Sequence, residues 1–544
     1  MTYFSLLYRT KQQEDRVKSE AGQQLFISEC KGTERRFQLV GNKMVAVTEE
    51  TDSEAKKLPC YFSDLGIDQI ISKILQSDTE EEAAVLFTES VKDTSLITYR
   101  QDIFKDLDHP QIKEVITDFQ SSMLEVIRLK GYASQSNHPL QKSIYLLDAM
   151  DLYQESLIEL TQSLADLPRS EGISRMELMV NHLCQDTAFF QTKKQAEQLR
   201  QNIEAIHYSL IIQSGRITVS IHKKEDDYRE GLHRLFQRNA SDTASALNQI
   251  SFFRQVGMND LELAIINILE KRYHSLFKEC MEFTAGLHEF PDPEVVRIHK
   301  ELRFYLACHD YIGRFREKGL PFTYPEISEG HSTELVGLYD VNLALKSEVI
   351  PNDFMLCEGE HGAWISGANQ GGKTTFLRSI GQIIYLSQLG LPVPAYYARI
   401  PLYDHILTHF STEEDAIKSN GKLKEELLHL KKLIGSAPGG KHLFLLNELF
   451  SSATSSDAFE MSRLLVQQLA QAQHTVLCVT HIPLLAKEVD GMVSIGTQMN
   501  LSHTRERTYR LVRKEAELTA YADDIARKYE LTFEGIKERL GHDN

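Results

Sequence analysis

The apolar positions along the chain change period several times. From Cys60 onward, Ile67, Ile70, Ile71, Ile74 and Leu75 fall at i, i+3, i+4, i+7 and i+8, a stripe that predicts an amphipathic helix. Helical spacing continues to about residue 207, with His138-Pro139 and the stretch from Leu167-Pro168 to Gly172 read as connections. Then Tyr208 to Gln213 and Arg216 to Ile221, two apolar β-branched runs on either side of Ser214-Gly215, predict a hairpin. Helical spacing resumes with Leu261, Ile265, Ile268, Leu269, Leu276 and Cys280 on one face. A hairpin between an outgoing and a returning helix belongs at the far end of an antiparallel pair, because short connections keep consecutive elements adjacent. The first 57 residues place charge runs around one short apolar alternation, Phe37 to Val47, interrupted by Gly41-Asn42, and predict a small hairpin or a loosely ordered arm. Beyond Pro321, Pro325 and Glu329-Gly330, strand-like and helix-like segments alternate, as in a mostly parallel α/β sheet.

Composition narrows this picture. A chain of 544 residues exceeds what one core normally holds, so a multidomain protein is expected. Its apolar runs are too short to span a bilayer, and Met1 to Asp15 carries no signal-peptide core. Seven cysteines (Cys30, Cys60, Cys184, Cys280, Cys308, Cys357 and Cys478) are scattered without CxxC spacing, which indicates neither a disulfide framework nor a zinc site and points to a reducing, cytoplasmic location with no membrane partner. A formal net charge of −17 argues against a surface broadly committed to nucleic acid and leaves room only for a local basic element. Around the hairpin, Arg216, Lys223, Lys224, Arg229, Arg234 and Arg238 alternate with Glu225, Asp226, Asp227 and Glu230; the segment is either such an element or a solvated tip.

Candidate chemistry begins at Gly367, Ala368, Asn369, Gln370, Gly371, Gly372, Lys373 and Thr374, which follow the apolar Ala363, Trp364 and Ile365 and precede Thr375, Phe376, Leu377 and Ile380. The spacing GxxxxGK-Thr between strand and helix lets backbone N–H groups surround a polyphosphate. It also sets Lys373 on the outer phosphates and leaves the Thr374 hydroxyl for Mg2+, with the helix dipole adding positive charge. A second buried strand, Leu443 to Leu446, ends in Asn447-Glu448. That position calls for an acid facing Mg2+ and then a glutamate facing the attacking water. Asn447 keeps a metal-water contact without the charge, so slow turnover is expected. Glu448 either orients water or simply caps and pairs. A third strand, Thr475 to Val479, ends in Thr480-His481, and His481 either senses the γ-phosphate or is structural. Ser451, Ser452, Thr454, Ser455, Ser456 and Asp457 precede a helical run from Phe459 to Ala470, as a plain N-cap or as a helix end offered to a second subunit's nucleotide.

Together these segments resemble the MutS mismatch-repair ATPase family. The match runs through Ile350-Pro351-Asn352-Asp353, Gly367 to Thr375, the Gly390 to Ala395 run, Leu445 to Glu448, Thr454 to Asp457 and Thr480-His481; upstream it takes in Leu65 to Ile71, Ile97 to Phe104 and Phe304 to Ile327, and downstream the tail from Ala520 to Leu540. The resemblance implies a multidomain fold with an α-helical core and lever domain, a small β-hairpin clamp and a C-terminal α/β P-loop NTPase of the ABC type. The corresponding segments are a short arm over 1–57, core and outgoing lever over 58–207, a reduced clamp over 208–240, returning lever and core over 241–328, and the ATPase domain with its helical tail over 329–544. It further implies ATP and Mg2+ as cofactors, nucleotide held by Gly367 to Thr375, metal by Thr374 and Asn447, catalysis by Glu448 and His481, and completion of a partner's nucleotide by Thr454, Ser455 and Asp457. The expected partners are structured or branched DNA and a second subunit, as a homodimer or a heterodimer with a MutS-like relative.

The chain also departs from that pattern. The family's mismatch-reading domain with its Phe-x-Glu wedge has no counterpart in the short stretch before Cys60, and Phe87-Thr88-Glu89 lies in a helical context and is discounted. The Gly-Arg-Gly-Thr-Ser-Thr signature becomes Phe450-Ser451-Ser452-Ala453-Thr454-Ser455, and the Ser-Thr-Phe element becomes Gly421-Lys422-Leu423, although Glu426 persists. These changes argue against trans-activation and leave binding intact. The resulting expectation is a slow ATPase that recognises DNA structure rather than a mismatched base. Its rivals are an ATP-dependent dimerising module with a protein partner and, more weakly, a transporter ATPase.

Overall fold

A computed structural model describes residues 3–27, 36–40, 43–47, 60–75, 86–213, 216–221, 260–287, 290–328, 330–367, 370–410, 421–435, 439–482, 484–485, 488–499 and 507–515. In chain order the elements are α1 (Lys11–Ile27), β1 (Arg36–Val40), β2 (Lys43–Val47), α2 (Cys60–Leu65), α3 (Ile67–Ile74), α4 (Thr94–Leu107), α5 (Pro110–Gln135), α6 (Pro139–Leu164), α7 (Glu171–Cys184), α8 (Thr187–Glu204), β3 (Tyr208–Gln213), β4 (Arg216–Ile221), α9 (Asp260–Arg272), α10 (His274–Ala285) and α11 (Pro293–Arg316). There follow β5 (Glu326–Ser328), β6 (Thr333–Leu338), α12 (Val341–Ala344), β7 (Asn352–Leu356), β8 (Gly362–Ser366), α13 (Lys373–Gln388), β9 (Tyr397–Pro401), β10 (His405–Phe410), α14 (Lys422–Gly435), β11 (His442–Asn447), α15 (Ser455–Gln471), β12 (Thr475–Val479), β13 (Met492–Met499) and β14 (Arg507–Arg513). Two compact units result: residues 4–6 with 106–303, and residues 1–3, 7–105 and 304–544, with boundaries inside α4 and α11.

Among its described residues the first unit is built of helices and one hairpin. Pro110 and Pro139 open α5 and α6 at positions where a missing N–H costs nothing, while Ser170 and Asp186 cap α7 and α8 through side-chain oxygens on the N–H groups of Ile173 and Ala188. Helix α6 packs against α5, α7, α8 and α10. Strands β3 and β4 pair antiparallel, from Tyr208 opposite Ile221 to Gln213 opposite Arg216, as the two runs flanking Ser214-Gly215 predict. Tyr273 is non-helical and separates α9 from α10, so the single stripe expected from Leu261 to Cys280 is divided. Ile265 and Cys280 are buried, whereas Ile268 faces solvent. The basic and acidic cluster from Lys223 to Arg238 lies outside the described residues, as does the tail from Ala520 to Leu540.

In the second unit, Ile67, Ile70, Ile71, Ile74 and Leu75 are all buried, as the stripe predicts. Before Cys60 the hairpin alternative is observed, β1 pairing antiparallel with β2 from Arg36 opposite Val47 to Val40 opposite Lys43; among the described residues ahead of it Leu7 and Tyr8 are buried, Lys11 to Ile27 is helical, and Glu14 is held by Tyr3, Lys11 and Lys18. Phe87 stacks on Phe304 at 5.3 Å between ring centroids and Glu89 bonds Tyr8 inside the core, which accounts for that triplet structurally; it sits at a turn rather than within a helix. Arg100 donates to Leu7 O at 3.0 Å and to Leu389 O at 3.1 Å just after α13, and Gln101 donates to Pro325 O at 3.0 Å. These bonds tie the Ile97 to Phe104 segment to the α/β part.

Two sheets make that part: β5-β9-β6-β7, and the six-stranded β10-β11-β12-β8-β13-β14, parallel except for β14. Gly381 explains how closely α13 lies on the larger sheet, since a Cβ there would stand 2.7 Å from Leu445 and from Leu65 side-chain carbons. Among the described residues no helix is long and apolar enough to cross a membrane.

Buried histidines give the fold a pH signature. Burial, with Lys300 nearby, pushes His299 from the ordinary 6.5 to about 4; burial, Lys92 and His442 do the same to His405. Because the folded values are depressed, the unfolded chain takes up protons first, and stability is lost as pH falls from about 6.5 to 4. For His299 the loss reaches roughly 3 kcal/mol, and for the less buried His405 correspondingly less. Thermal melts at pH 7 and pH 5 are expected to show the drop, and His299→Leu to flatten it.

Candidate nucleotide site

Strand register brings the candidate residues to one edge. Asn447 pairs with Val479 and Val479 with Ile365, so the segments leaving β8, β11 and β12 emerge side by side at their C-terminal ends, where open α/β sheets form their crevices. The exits are cross-linked: Thr480 N–H donates to Ile365 O and Glu448 N–H to Val479 O, each at 3.0 Å.

Between β8 and α13 the chain turns through left-handed backbone at Gln370 (φ 59) and Gly372 (φ 89). Gly372 occupies the N-cap of α13 and has no side chain with which to cap it, so the positive end of that helix faces the loop. Lys373 is 5% exposed, and its Nζ donates to Gly367 O at 2.9 Å, closing the loop on itself. Burial lowers the Lys373 pKa, with the Glu448 charge acting in the opposite sense. Gly371 is buried and Thr375 half-buried in the first turn of α13, whereas Ala368 and Asn369 lie outside the described residues. A backbone loop ending in an uncapped helix and a desolvated ammonium is a donor set that fits a polyphosphate.

Two further pairs complete the arrangement. Thr374 Oγ1 donates to Asn447 Oδ1 at 3.1 Å, which places both candidate metal residues together. His481 Nε2 lies 2.7 Å from Glu448 Oε1; a carboxylate only accepts, so that ring nitrogen carries the proton. This bond holds the Glu448 carboxyl below its ordinary range against partial burial, with the charges of His481 and Lys373 helping. Glu448 itself is left-handed (φ 55), a strained setting for a residue with a Cβ. Thr454, Ser455 and Asp457 stand exposed at the start of α15, where Thr454 Oγ1 donates to Asp457 Oδ2 at 2.8 Å and accepts from Asp457 N–H at 3.2 Å, a reciprocal cap.

A group without a predicted role adjoins Glu448. Glu426 Oε1, on α14, accepts from Phe450 N–H at 2.7 Å and lies 3.2 Å from His409 Nε2, while His409 Nδ1 is 3.1 Å from His429 Nδ1. No local spacing links the end of β10 to the face of α14, so only the persistence of Glu426 hinted at it.

Residues 363–526 match the family model described as MutS domain V, and residues 92–318 match that described as MutS2 N-terminal domain. The chain belongs to the MutS family. This MutS-family chain is 28% identical over 227 residues to the endonuclease MutS2 of Gemmatimonas aurantiaca, covering 40% of this chain and 27% of that protein. To the DNA mismatch repair protein MutS of Fervidobacterium nodosum it is 26% identical over 200 residues, 36% of this chain and 23% of that one. To the DNA mismatch repair protein MSH3 of Arabidopsis thaliana it is 30% identical over 156 residues, 28% and 14% respectively. The matched stretches therefore span about a quarter or less of these relatives' own length. The domain V match contains Lys373, Thr374, Asn447, Glu448 and His481.

Proposed function

We propose that this chain binds ATP with Mg2+ on the loop from Gly367 to Thr375, hydrolyses it slowly, and couples nucleotide occupancy to the binding of structured DNA as a dimer. The supporting observation is the convergence of Lys373, the Thr374–Asn447 pair and the Glu448–His481 pair at three adjacent strand ends inside the domain V match. In this reading Lys373 exchanges Gly367 O for the outer phosphates, and the N–H groups at the start of α13 receive the remaining phosphate charge. Thr374 and Asn447 hold Mg2+ directly or through water. When bound, the metal supplies positive charge for the phosphate oxygens. Glu448 orients water and accepts its proton, and His481, donating to Glu448, keeps that carboxylate ionised and stands ready to contact the γ-phosphate. Thr454, Ser455 and Asp457 complete the nucleotide of a second subunit. The hairpin β3–β4 then serves as a reduced clamp on DNA backbone, between the core and outgoing lever over 58–207 and the returning lever and core over 241–328.

Asn447 offers an oxygen without a charge, so Asn447→Asp is expected to lower the Mg2+ concentration needed for half-maximal turnover by roughly tenfold, read from a metal titration of the ATPase. The reading as a whole is tested by ATPase rates with branched, mismatched and plain duplex DNA, together with DNA affinity across a salt series. Stimulation by branched DNA is expected, with affinity falling steeply as salt rises, since a clamp on phosphates releases counterions. The net charge of −17 and Asn447 favour a second reading, in which ATP closes a dimer that binds protein; no specific DNA binding even at low salt would select it.

A further inference from the structure

The turn after β11 is held at both ends. Glu448 N–H is fixed by Val479 O at 3.0 Å, and two residues later Phe450 N–H is fixed by Glu426 Oε1 at 2.7 Å. Both Glu448 and Phe450 are left-handed, at φ 55, and neither is glycine. Such backbone is costly for a residue with a Cβ and persists only where its surroundings over-determine it. The Val479 anchor comes from the sheet ladder. The Glu426 anchor comes from a side chain on a separate helix, and it is the one that sets where the turn goes after Glu448.

Glu426 is itself held. Its side chain and that of His409 are largely buried, at 14% and 10% exposure. Since the carboxylate accepts, His409 donates to Glu426 from Nε2, and its Nδ1 lies 3.1 Å from His429 Nδ1, so the ring is held from both sides. The chain of bonds thus runs from α14 through the end of β10 to the backbone two residues past Glu448.

We infer that Glu426, oriented by His409 and His429, is a positioning residue for the ATPase: its Oε1 pins the Phe450 N–H and so aims the Glu448 carboxylate at the attacking water. The inference rests on the proposed hydrolysis and extends it to residues outside the nucleotide's contact set. It makes α14 a control point for turnover, because any shift of that helix relative to β11 releases the turn. What matters is the reach of an acceptor oxygen, not the charge that carries it.

That distinction supplies the test on the full chain. Glu426→Gln keeps an acceptor at the same reach, whereas Glu426→Asp keeps the charge and withdraws the oxygen by one methylene. The expected result is wild-type kcat within about twofold for Gln and a loss of about tenfold or more for Asp, with ATP affinity by calorimetry unchanged in both. Adding Glu426→Asp to Glu448→Gln is expected to cost nothing further, because the group being aimed is gone. A Gln variant slower than Asp, a loss of ATP affinity parallel to kcat, or full additivity with Glu448→Gln each overturns the inference. Wild-type protein that hydrolyses ATP beside two unchanged variants overturns the inference alone. Wild-type protein that neither binds nor hydrolyses ATP overturns the ATPase reading and this inference with it.

Discussion

Glu448→Ala is expected to lower ATP turnover by on the order of 10²- to 10³-fold, the usual contribution of a positioned general base, while ATP affinity changes by only a few-fold. The side chain reaches His481 at 2.7 Å and feels Lys373 only through its charge, so its removal takes away the group proposed to orient water without touching the loop's donors. Single-turnover hydrolysis with calorimetric binding measured in parallel checks this. Equal rates for wild type and variant would remove Glu448 from the mechanism and leave the nucleotide site standing as a binding device. Affinity lost together with rate would instead make Glu448 part of the cradle.

Lys373→Met is expected to abolish measurable ATP binding, a loss of roughly 10²-fold or more in affinity, since a buried ammonium on phosphate makes strong charge-assisted hydrogen bonds that a methionine cannot make. The same substitution is expected to leave thermal stability unchanged or slightly higher. Without nucleotide, Lys373 is a desolvated cation that donates to Gly367 O at 2.9 Å and feels the Glu448 charge, and replacing such a group by an apolar one of similar length removes a desolvation penalty. Calorimetry beside a melting curve separates the two effects. Unchanged ATP affinity would place the phosphates elsewhere.

The parts of the fold that follow from short-range spacing were legible. The stripe from Ile67 to Leu75 is buried as its period requires, the runs at 208–213 and 216–221 pair as a hairpin, and the glycine spacing before Lys373 lies between a strand and a helix. Where spacing carries no signal, the local sequence does not reveal the element. Lys11 to Ile27 is rich in charge and glutamine and shows no apolar stripe, yet it is helical and buries Val17 and Glu14. The stripe through Ile268 looked continuous because Tyr273 is an unremarkable helix residue by propensity; its non-helical backbone was invisible to periodicity, and Ile268 is exposed.

By itself the sequence determined the chemistry of the candidate site: which residue carries an ammonium, which hydroxyl follows it, that an amide stands where an acid is expected, and that a glutamate and a histidine end two apolar strands. These are local facts, set by residue type and by neighbours within a few positions. Tertiary structure decided which of those groups meet. The order β11-β12-β8 brings Thr374 to Asn447 across 73 positions and Glu448 to His481 across 33, and the packing of α14 beside β10 and β11 gives Glu426 the Phe450 N–H. Strand order is a property of the whole sheet, chosen by which apolar faces can be buried together, so no window of sequence contains it.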